Sequence, residues 1–296
     1  MRGQFRAIYM PGKENKPLVS IIIPCFNHGA YIKDAVASAL MAASVAGVDF
    51  EIIVVDDGST DPNTLAELKR LNSKQNTNVL SQANRGGAGA RNSGLADVVG
   101  EFFVPLDADD LIAPAFLKRT LEALRAHPEC AYAYTDYVIF GAEALTRRLP
   151  PYNYYRLLWD NQQTVTALIR TAAARVVGGY NESLRNGFED WEFWIKMGEA
   201  GHHGWHVPEP LFKYRKHARS SLKEMRSNRL ELIRRIRALH PEIYMDQIGL
   251  EATRRRWRRG VPPGFRWFMG AKHWLMASLG GRLTDAIRRW GRRVVH

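Results

Sequence analysis

The sequence of 296 residues has few cysteines and no long apolar run, and each absence narrows the class of protein. The two cysteines, Cys25 and Cys130, form no CxxC motif and have no histidine at a metal-ligand spacing, so we expect a reducing compartment and no disulfide framework. An uninterrupted run of about 18 apolar residues is missing, which predicts that no helix spans a membrane. Residues 1–18 lack the apolar core of a secretory signal peptide, so we expect a cytoplasmic location.

Most of the chain also lacks net charge. Residues 1–225 contain 25 Lys and Arg and 25 Asp and Glu, whereas residues 226–296 contain 17 basic and 5 acidic residues and carry the whole net charge of +12. This asymmetry predicts two units with different roles, a globular domain followed by a basic, mainly helical tail, which we place at residues 223–296. A hydrophobic content of 46% gives the globular unit enough apolar side chains for a sizeable core.

Strand and helix patterns alternate along the first half of the chain. The apolar runs VSIII, EIIVV and EFFVPL are typical of strands buried on both faces of a sheet, and NVLSQ indicates a shorter strand. Helical periodicity follows the strands, as in NHGAYIKDAVASALMAA. The alternation predicts an α/β fold with a mostly parallel, Rossmann-like central sheet flanked by helices.

Each polar cluster of this half directly follows a predicted strand. The clusters are PCFNHG, DDGST, ANRGGAGAR and DADD. Because ligands bind at the carboxyl ends of the strands in open α/β sheets, we expect one site along this edge. The glycine-rich cluster follows the third strand and lacks GxGxxG spacing, so a dinucleotide-binding dehydrogenase is a poor fit.

The DADD cluster places three carboxylates at the end of a buried strand, on Asp107, Asp109 and Asp110. Burial and mutual repulsion would raise the pKa values of such groups unless a positive charge offsets them. Asp107 and Asp109 can chelate a hard divalent cation, which fills its remaining positions with substrate phosphates and water. The alternative is that these acids cap the helix predicted from Pro114, and we expect this of Asp110.

Six segments together resemble the family-2 glycosyltransferases of the GT-A fold. In order and spacing they are VSIIIPCFNHGAYIKDAVASAL, EIIVVDDGSTD, ANRGGAGARNSGL, FFVPLDADDLIAP, VGGYNE and GFEDWEFWIKMGEAG. The resemblance covers residues 17–222 and implies inverting transfer of a sugar from a nucleotide-diphospho-sugar to a hydroxyl acceptor. It divides the domain into a nucleotide-sugar-binding half, residues 17–115, and an acceptor half, residues 116–222.

The resemblance also implies which residues bind the donor. They are Pro24, Phe26, Asn27, Asp56, Asp57, Arg85, Arg91, Asp107 and Ala108. Phe26 would supply an apolar wall for the nucleobase and Asp57 an acceptor for its N–H, which is the pairing that base recognition needs. The alternatives are ordinary core packing for Phe26 and a helix cap for Asp57.

The resemblance implies a metal on the diphosphate, either Mg²⁺ or Mn²⁺, because the leaving group needs positive charge where its negative charge grows. Asp109 is the expected direct ligand, with Asp107 nearer the ribose. His217 stands where many members of the family have a further ligand, and imidazole suits Mn²⁺ better than Mg²⁺. The alternative for His217 is a surface histidine in a basic loop.

The resemblance further implies that Asp190, in the segment GFEDWEF, is the catalytic base. Inversion requires an ionised carboxylate that removes the proton of the attacking hydroxyl, away from the metal. Glu189 is expected to position Asp190, and Trp191 is expected on the acceptor side. The alternative is that the two acids only stabilise the first turn of a helix.

The basic tail predicts contact with an anionic membrane surface through residues 226–296. In residues 282–294, Leu283, Ile287 and Trp290 lie on one helical stripe and arginines occupy the rest. Such helices lie in the membrane interface, which would suit a lipid-linked acceptor. The alternative is packing on the catalytic domain. Nucleic acid is not an expected partner, because the domain is neutral and has no recognised binding motif.

The sequence therefore predicts a metal-dependent, inverting glycosyltransferase of cell-surface polysaccharide or glycolipid biosynthesis, at the inner face of the cytoplasmic membrane. Family frequency favours a UDP-sugar as donor, and the acceptor would be a glycan or a lipid-linked molecule. Two alternatives remain. One is a non-catalytic GT-A-like protein that binds a nucleotide and recruits partners through its tail. The other is a nucleotidyltransferase, for which the helix that carries Asp190 would have no role.

Overall fold

Nine strands and ten helices occur in the computed structural model, which describes residues 17–185, 187–217, 229–259, 261 and 264–265. The strands are β1 (Val19–Cys25), β2 (Phe50–Asp56), β3 (Thr77–Ser81), β4 (Phe102–Pro105), β5 (Leu111–Ile112), β6 (Cys130–Gly141), β7 (Leu145–Arg147), β8 (Leu168–Arg170) and β9 (His203–Lys216). The helices are α1 (Ile32–Ala46), α2 (Pro62–Leu71), α3 (Gly86–Asp97), α4 (Phe116–Ala126), α5 (Tyr154–Leu157), α6 (Thr171–Val176), α7 (Glu189–Glu199), α8 (Arg229–Leu239), α9 (Pro241–Met245) and α10 (Gln247–Arg256).

The strands of the described ranges form one sheet in the order β3-β2-β1-β4-β8-β6-β9-β5, with β7 added to β6. The first four of these pair in parallel, which confirms the predicted Rossmann-like half. In the second half β8 runs antiparallel to both β4 and β6, and β5 runs antiparallel to β9. The complete sheet is therefore mixed. Strands as short as β5 and β8 carry too little sequence pattern to reveal their direction.

Apolar layers cover both faces of the sheet. The residues of β1 are therefore buried on both sides, as its continuous β-branched run predicts. Ile21 and Ile23 pack in the cluster that contains α1 and α4, whereas Ile22 packs in the cluster that contains α3 and α7. Cys25 and Cys130 are free cysteines with buried side chains.

Helices α8 to α10 pack on the acceptor half. Their buried apolar residues share a cluster with two tryptophans of α7, and the members are Ile233, Ile236 and Leu250 with Trp191 and Trp194. Asn153 Nδ2, at the start of α5, donates to the main-chain oxygens of Trp257 at 2.8 Å and Arg259 at 3.0 Å. Residues 229–259 thus complete the core of the globular unit. The arginine-rich stretch 282–294 lies outside the described residues.

The described part of the chain contains no helix with the length and hydropathy that crossing a bilayer requires.

Candidate active site

The polar clusters after β1, β2 and β4 lie along one edge of the sheet. The main-chain N–H of Asp57 donates to the oxygen of Cys25 at 2.8 Å, so the segments after β1 and β2 leave the sheet together. The N–H of Leu106 donates to the oxygen of Ile22 at 2.9 Å and holds the start of the DADD turn beside β1. The arrangement follows from the parallel pairing of β1 with β2 and β4.

The segment after β1 presents an aromatic ring to solvent at this edge. Phe26 is 46% exposed, so its ring is not part of the core, and it follows Pro24 in β1. Asn27 adopts a left-handed conformation with φ 55°. Its Oδ1 accepts hydrogen bonds from the N–H groups of Thr60 and Asp61 at 2.8 and 2.9 Å. Asn27 therefore ties this loop to the start of α2, while the ring of Phe26 remains exposed.

The carboxylate of Asp57 caps helix α3. It is 3% exposed, and its Oδ1 accepts from the N–H of Arg85 at 2.8 Å and from Gln82 Nε2 at 2.7 Å. Its Oδ2 accepts from the N–H of Gly86, the first residue of α3, at 2.8 Å. Asp56 Oδ1 accepts from the N–H of the turn residue Ser59 at 2.9 Å. Both acids stabilise the backbone of this edge, and a contact between Asp57 and a base would add to these bonds.

The side chain of Arg85 ties the glycine-rich turn to the loop before α7. Its Nη2 lies 2.6 Å from Glu182 Oε1, and its Nε donates to Glu182 Oε2 at 3.2 Å. Asn92 strengthens this link, because its Nδ2 donates to Glu182 Oε1 and to the oxygen of Tyr180, at 3.0 and 2.8 Å. The loop that precedes the candidate base is thereby fixed to α3.

Arg91 is buried between the DADD turn and the start of α7 and connects them. It is 4% exposed, with Nη2 at 2.6 Å from Asp107 Oδ1 and Nη1 at 2.9 Å from Glu189 Oε1. Burial disfavours its charge, but the two carboxylates outweigh burial and raise the pKa of Arg91 above its ordinary value. The sequence predicted Arg91 beside the nucleotide, and the structure shows a buried guanidinium that bridges Asp107 and Glu189.

Residues of the DADD turn have separate partners. Ala108 is buried at 1% exposure, and Asp109 Oδ2 lies 2.7 Å from His217 Nε2. Asp110 is 2% exposed, and its Oδ1 accepts from the N–H of Arg215 in β9 at 2.7 Å. Burial, and then repulsion from Asp107 and Asp109, raises the pKa of Asp110 well above its ordinary value.

The expectation that Asp110 caps a helix is wrong. Helix α4 begins at Phe116, and the residue before it, Ala115, makes no side-chain cap hydrogen bond. The physical reason is that four residues separate Asp110 from Ala115, and in between β5 pairs with β9. This pairing brings Asp110 to the main-chain N–H of Arg215 instead.

Asp109 and His217 form a donor pair that fits a divalent cation. The carboxylate oxygen and the imidazole nitrogen are 2.7 Å apart, and 34% of the His217 side chain is exposed. Asp107 contributes a carboxylate whose side chain is 33% exposed while one oxygen is bonded to Arg91. Within the described ranges no group of three or more His, Cys, Asp or Glu side chains is arranged so that it could hold a metal ion by itself. Such a partial donor set suits an ion that takes its other ligands from phosphate and water.

Arg215 braces the same turn and was not predicted from the sequence. Its Nε donates to the main-chain oxygen of Asp109 at 2.7 Å. Its guanidinium lies over the rings of Tyr31, at 4.8 Å, and Phe140, at 4.5 Å. The ring of His217 lies 5.3 Å from that of Tyr31. Arginine in the basic segment YRKH has no pattern that distinguishes it from a solvated charge.

Asp190 lies in the first turn of α7 and is held at both oxygens. Oδ1 accepts from the N–H of Trp191 at 2.7 Å, and Oδ2 accepts from Asn161 Nδ2 at 3.0 Å. Burial, and then repulsion from Glu189, raises the pKa of Asp190 to about 7. A carboxylate with this pKa is suited to accept a proton near neutral pH. Asn161 was missed because nothing in WDNQQT marks it out.

Trp191 is buried at 2% exposure, and its Nε1 donates to the oxygen of Leu157 at 2.6 Å. Its ring meets that of Phe188 edge to face at 5.5 Å between centroids. The ring therefore belongs to the core, and the expected role of Trp191 on the acceptor side stays a prediction. Its contact with Asp190 is made by its main-chain N–H.

Comparison with known proteins relates the chain to one enzyme family. The family described as Glycosyl transferase family 2 matches residues 20–177. The chain is 29% identical over 192 residues to the chondroitin synthase of Escherichia coli, over 62% of this chain and 27% of that protein. It is 24% identical over 259 residues to an uncharacterized glycosyltransferase of Haemophilus influenzae, over 80% of this chain and 77% of that protein. The hyaluronan synthase of Pasteurella multocida is 29% identical over 201 residues, or 62% of this chain and 19% of that protein. The chain spans under a third of either synthase.

Two solved structures share the fold. Staphylococcus aureus TarS 1-349 in complex with UDP-GlcNAc has 22% identity and a TM-score of 0.61, over 74% of this chain and 65% of that chain. The mannosyltransferase PcManGT from Pyrobaculum calidifontis, in complex with GDP-Man and Mn²⁺, has 18% identity and a TM-score of 0.60, over 95% of this chain and 81% of that chain. These likenesses confirm the predicted GT-A fold.

Proposed function

The chain belongs to glycosyl transferase family 2, and from this premise we propose that it transfers a sugar, with inversion, from a nucleotide-diphospho-sugar to a hydroxyl acceptor. The observation that carries the proposal is the position of Asp190, a carboxylate with a pKa of about 7 that Glu189 and Arg91 connect to Asp107 of the DADD turn. In this proposal Asp190 accepts the proton and the DADD turn binds the metal. The buried guanidinium of Arg91 connects the two parts of the site through Glu189 and Asp107.

The donor would lie along the edge formed by the loops after β1, β2 and β4. The exposed ring of Phe26 offers a stacking surface for the base, between loops that Asn27 and Asp57 hold in place. Asp109, Asp107 and His217 are the residues that would hold Mg²⁺ or Mn²⁺, whose charge offsets the negative charge that develops on the leaving diphosphate. A UDP-sugar remains the proposed donor, on family frequency.

In the transfer step the acceptor oxygen forms a bond to the anomeric carbon while the bond from that carbon to the diphosphate oxygen breaks. The proton of the acceptor hydroxyl passes to the carboxylate of Asp190. Asn161 and the N–H of Trp191 hold that carboxylate, and Arg91 holds the neighbouring Glu189. The named relatives that make chondroitin and hyaluronan support a glycan acceptor in polysaccharide biosynthesis.

A lipid-linked acceptor would agree with a membrane-facing C-terminal part. Met245, at the end of α9, and Ile248, at the start of α10, are 79% and 84% exposed, and the basic side chains of Arg254 and Arg255 follow on α10. Exposed apolar side chains beside arginines are suited to an anionic lipid surface. The proposed location is therefore the inner face of the cytoplasmic membrane, with residues 226–296 in contact with lipid and no nucleic-acid partner.

The test pairs donor binding with turnover. A panel of nucleotide-sugars is screened by thermal shift with and without Mn²⁺, since a ligand of the folded state raises its stability. With the donor so found, Asp190→Asn should abolish transfer and keep the donor-induced shift, because the base does not hold the donor. Asp109→Ala should weaken donor binding only when Mn²⁺ is present.

The matched control is Asp97→Asn, the same chemical change at an exposed position at the end of α3, which should behave like the wild type. Donor binding without any turnover by the wild-type chain would favour the non-catalytic alternative. Loss of donor binding in Asp190→Asn would mean that this residue is not the base.

A further inference from the structure

An irregular segment carries an amide to the proposed base. Residues 158–167, all described, form neither helix nor strand between α5 and β8. Within this segment Asn161 Nδ2 donates to Asp190 Oδ2 at 3.0 Å. Two residues later Gln163 Nε2 donates to Tyr132 Oη in the buried part of β6 at 2.7 Å. The segment is therefore anchored to the core beside its contact with Asp190.

Neighbouring helices hold the beginning of the same segment. On one side Trp191 Nε1 of α7 donates to the main-chain oxygen of Leu157 at 2.6 Å. On the other side Tyr244 Oη of α9 donates to the main-chain oxygen of Leu158 at 2.7 Å. The first bond joins the end of α5, directly before the segment, to the helix of Asp190, and the second joins the segment itself to the C-terminal helices. Two residues separate the second contact from Asn161.

We propose that Asn161 is a positioning residue for Asp190 and that α9 assists through the bond from Tyr244 to the segment. Asp190 has one oxygen bonded to the main chain of its own helix and the other bonded to Asn161. Two donors at two oxygens fix the plane of a carboxylate, so its free lone pairs keep one direction toward the acceptor. The inference rests on the proposed role of Asp190 as the base.

Charged groups on several elements surround this carboxylate. Glu189, on the same helix, repels its negative charge, and Arg91 of α3 attracts it. Tyr180, in the loop before α7, is buried and lies close enough to interact with it. The N–H of Asn161 favours the ionised form, because it donates to a carboxylate oxygen. Removal of the Asn161 amide should therefore raise the pKa of Asp190 and also allow its carboxylate to rotate.

The experiment measures transfer by Asn161→Ala in the full chain, over a range of pH. Loss of a hydrogen bond to a charged group predicts that kcat falls about tenfold or more, while KM for the donor changes little. The acidic limb of kcat/KM should move to higher pH. Tyr244→Phe should show a smaller fall in kcat, because it removes one support of the segment.

The matched control is Asn72→Ala at the end of α2, where an asparagine Oδ1 accepts from the N–H of Val79 at 3.2 Å far from the site. Asn72→Ala should lower the melting temperature without shifting the acidic limb of the pH profile of kcat/KM. If Asn161→Ala lowers activity only as far as it lowers the folded fraction, with an unmoved limb, its role is structural and the proposal is overturned.

If Asp190 is wrongly assigned as the catalytic base, the two variants give a different pattern of turnover. If Asp190→Asn retains turnover, Asp190 is not the base and the proposed function is at fault. If Asp190→Asn is inactive while Asn161→Ala keeps the wild-type kcat and pH limb, only the positioning role of Asn161 fails.

Discussion

At the scale of single residues, every acid of the DADD turn has a partner on a different element. Arg91 of α3 pairs with Asp107, His217 follows β9 and pairs with Asp109, and the N–H of Arg215 in β9 bonds Asp110. These contacts offset only part of the Coulomb repulsion among the three carboxylates, because burial and then that repulsion still raise the pKa of Asp110. A cation bound by Asp109 and His217 would reduce the repulsion further and would replace the direct contact between those two side chains.

The pH dependence of transfer should report on Asp190. The base must be ionised, so kcat/KM should rise with pH through about 7, the value to which burial and repulsion from Glu189 raise its pKa. Glu189→Gln removes the repulsion and should move this limb to lower pH. The measurement is a pH profile of kcat/KM for both proteins, and a wild-type limb near pH 4 would contradict the assignment.

The same raised pKa has a consequence for stability. The folded state keeps the Asp190 proton to higher pH than the unfolded chain, so the contribution of this group is fully present at low pH. It is lost as the pH rises toward the folded pKa of about 7. Asp190→Asn, which needs no ionisation, should therefore raise the melting temperature at pH 8 more than at pH 4.

At the scale of elements, the glycines of α3 serve packing. A Cβ atom on Gly94 would lie 2.4 Å from Ile22 Cγ2 of β1, and one on Gly89 would lie 2.5 Å from Arg85 Cβ. Because these positions are glycine, α3 can lie close against the sheet. This close packing places the Arg91 side chain beside Asp107 and Glu189. The segment NRGGAGAR thus positions a buried cation through helix packing.

Asp57 gives a prediction about the same helix. Asp57→Ala removes an acceptor from two N–H groups at the start of α3 and from Gln82. The free energy of unfolding should fall by about 2 kcal/mol even without a nucleotide, because buried donors lose their partner. Urea unfolding measures this change, with Asp34→Ala on the exposed face of α1 as the control. Unchanged stability with lost nucleotide affinity would instead show a role in base binding alone.

Sequence patterns predicted the first half of the fold well, because strands such as β1 and β2 are continuous buried runs with sharp ends. They also indicated the acids of the DADD turn, since acids at strand ends are conspicuous, and the functional role of these acids stays a prediction. Asn161 could not be predicted, because its contact with Asp190 spans 29 residues and depends on α5 and α9. The sequence also left open whether α8 to α10 pack on the domain or contact a membrane, because their arginines outnumber the few apolar residues that turn inward.

At the scale of the whole molecule, residues 229–259 have two faces with different roles. Ile233, Ile236 and Leu250 are buried against the acceptor half, while Met245 and Ile248 are exposed. This part of the chain holds 9 arginines and 4 acidic residues, so its outer surface is basic. The C-terminal part therefore belongs to the core on one side and is free to meet an anionic surface on the other.

Vesicle binding tests that outer surface. The full chain should sediment with vesicles that contain anionic lipid, less so in high salt, and hardly with zwitterionic vesicles, because the attraction is electrostatic. Ile248→Glu and Arg255→Glu should weaken binding, whereas Lys69→Glu on the exposed face of α2 should not. Equal binding to both kinds of vesicle, or none, would contradict membrane contact through this surface.

The long-range bonds of the site also set the order in which it can be completed while the chain is being made. Asp109 meets its histidine only 108 residues later, and Arg91 meets Glu189 98 residues later. At a synthesis rate of roughly 5 to 20 residues per second, the acids of the DADD turn leave the ribosome about 5 to 20 seconds before His217. The parallel half of the sheet can form during this interval, with Asp107 already paired to Arg91, but Asp109 and Asp110 have to wait for their partners until β9 arrives. The DADD turn is therefore completed only after the parallel half of the sheet has left the ribosome.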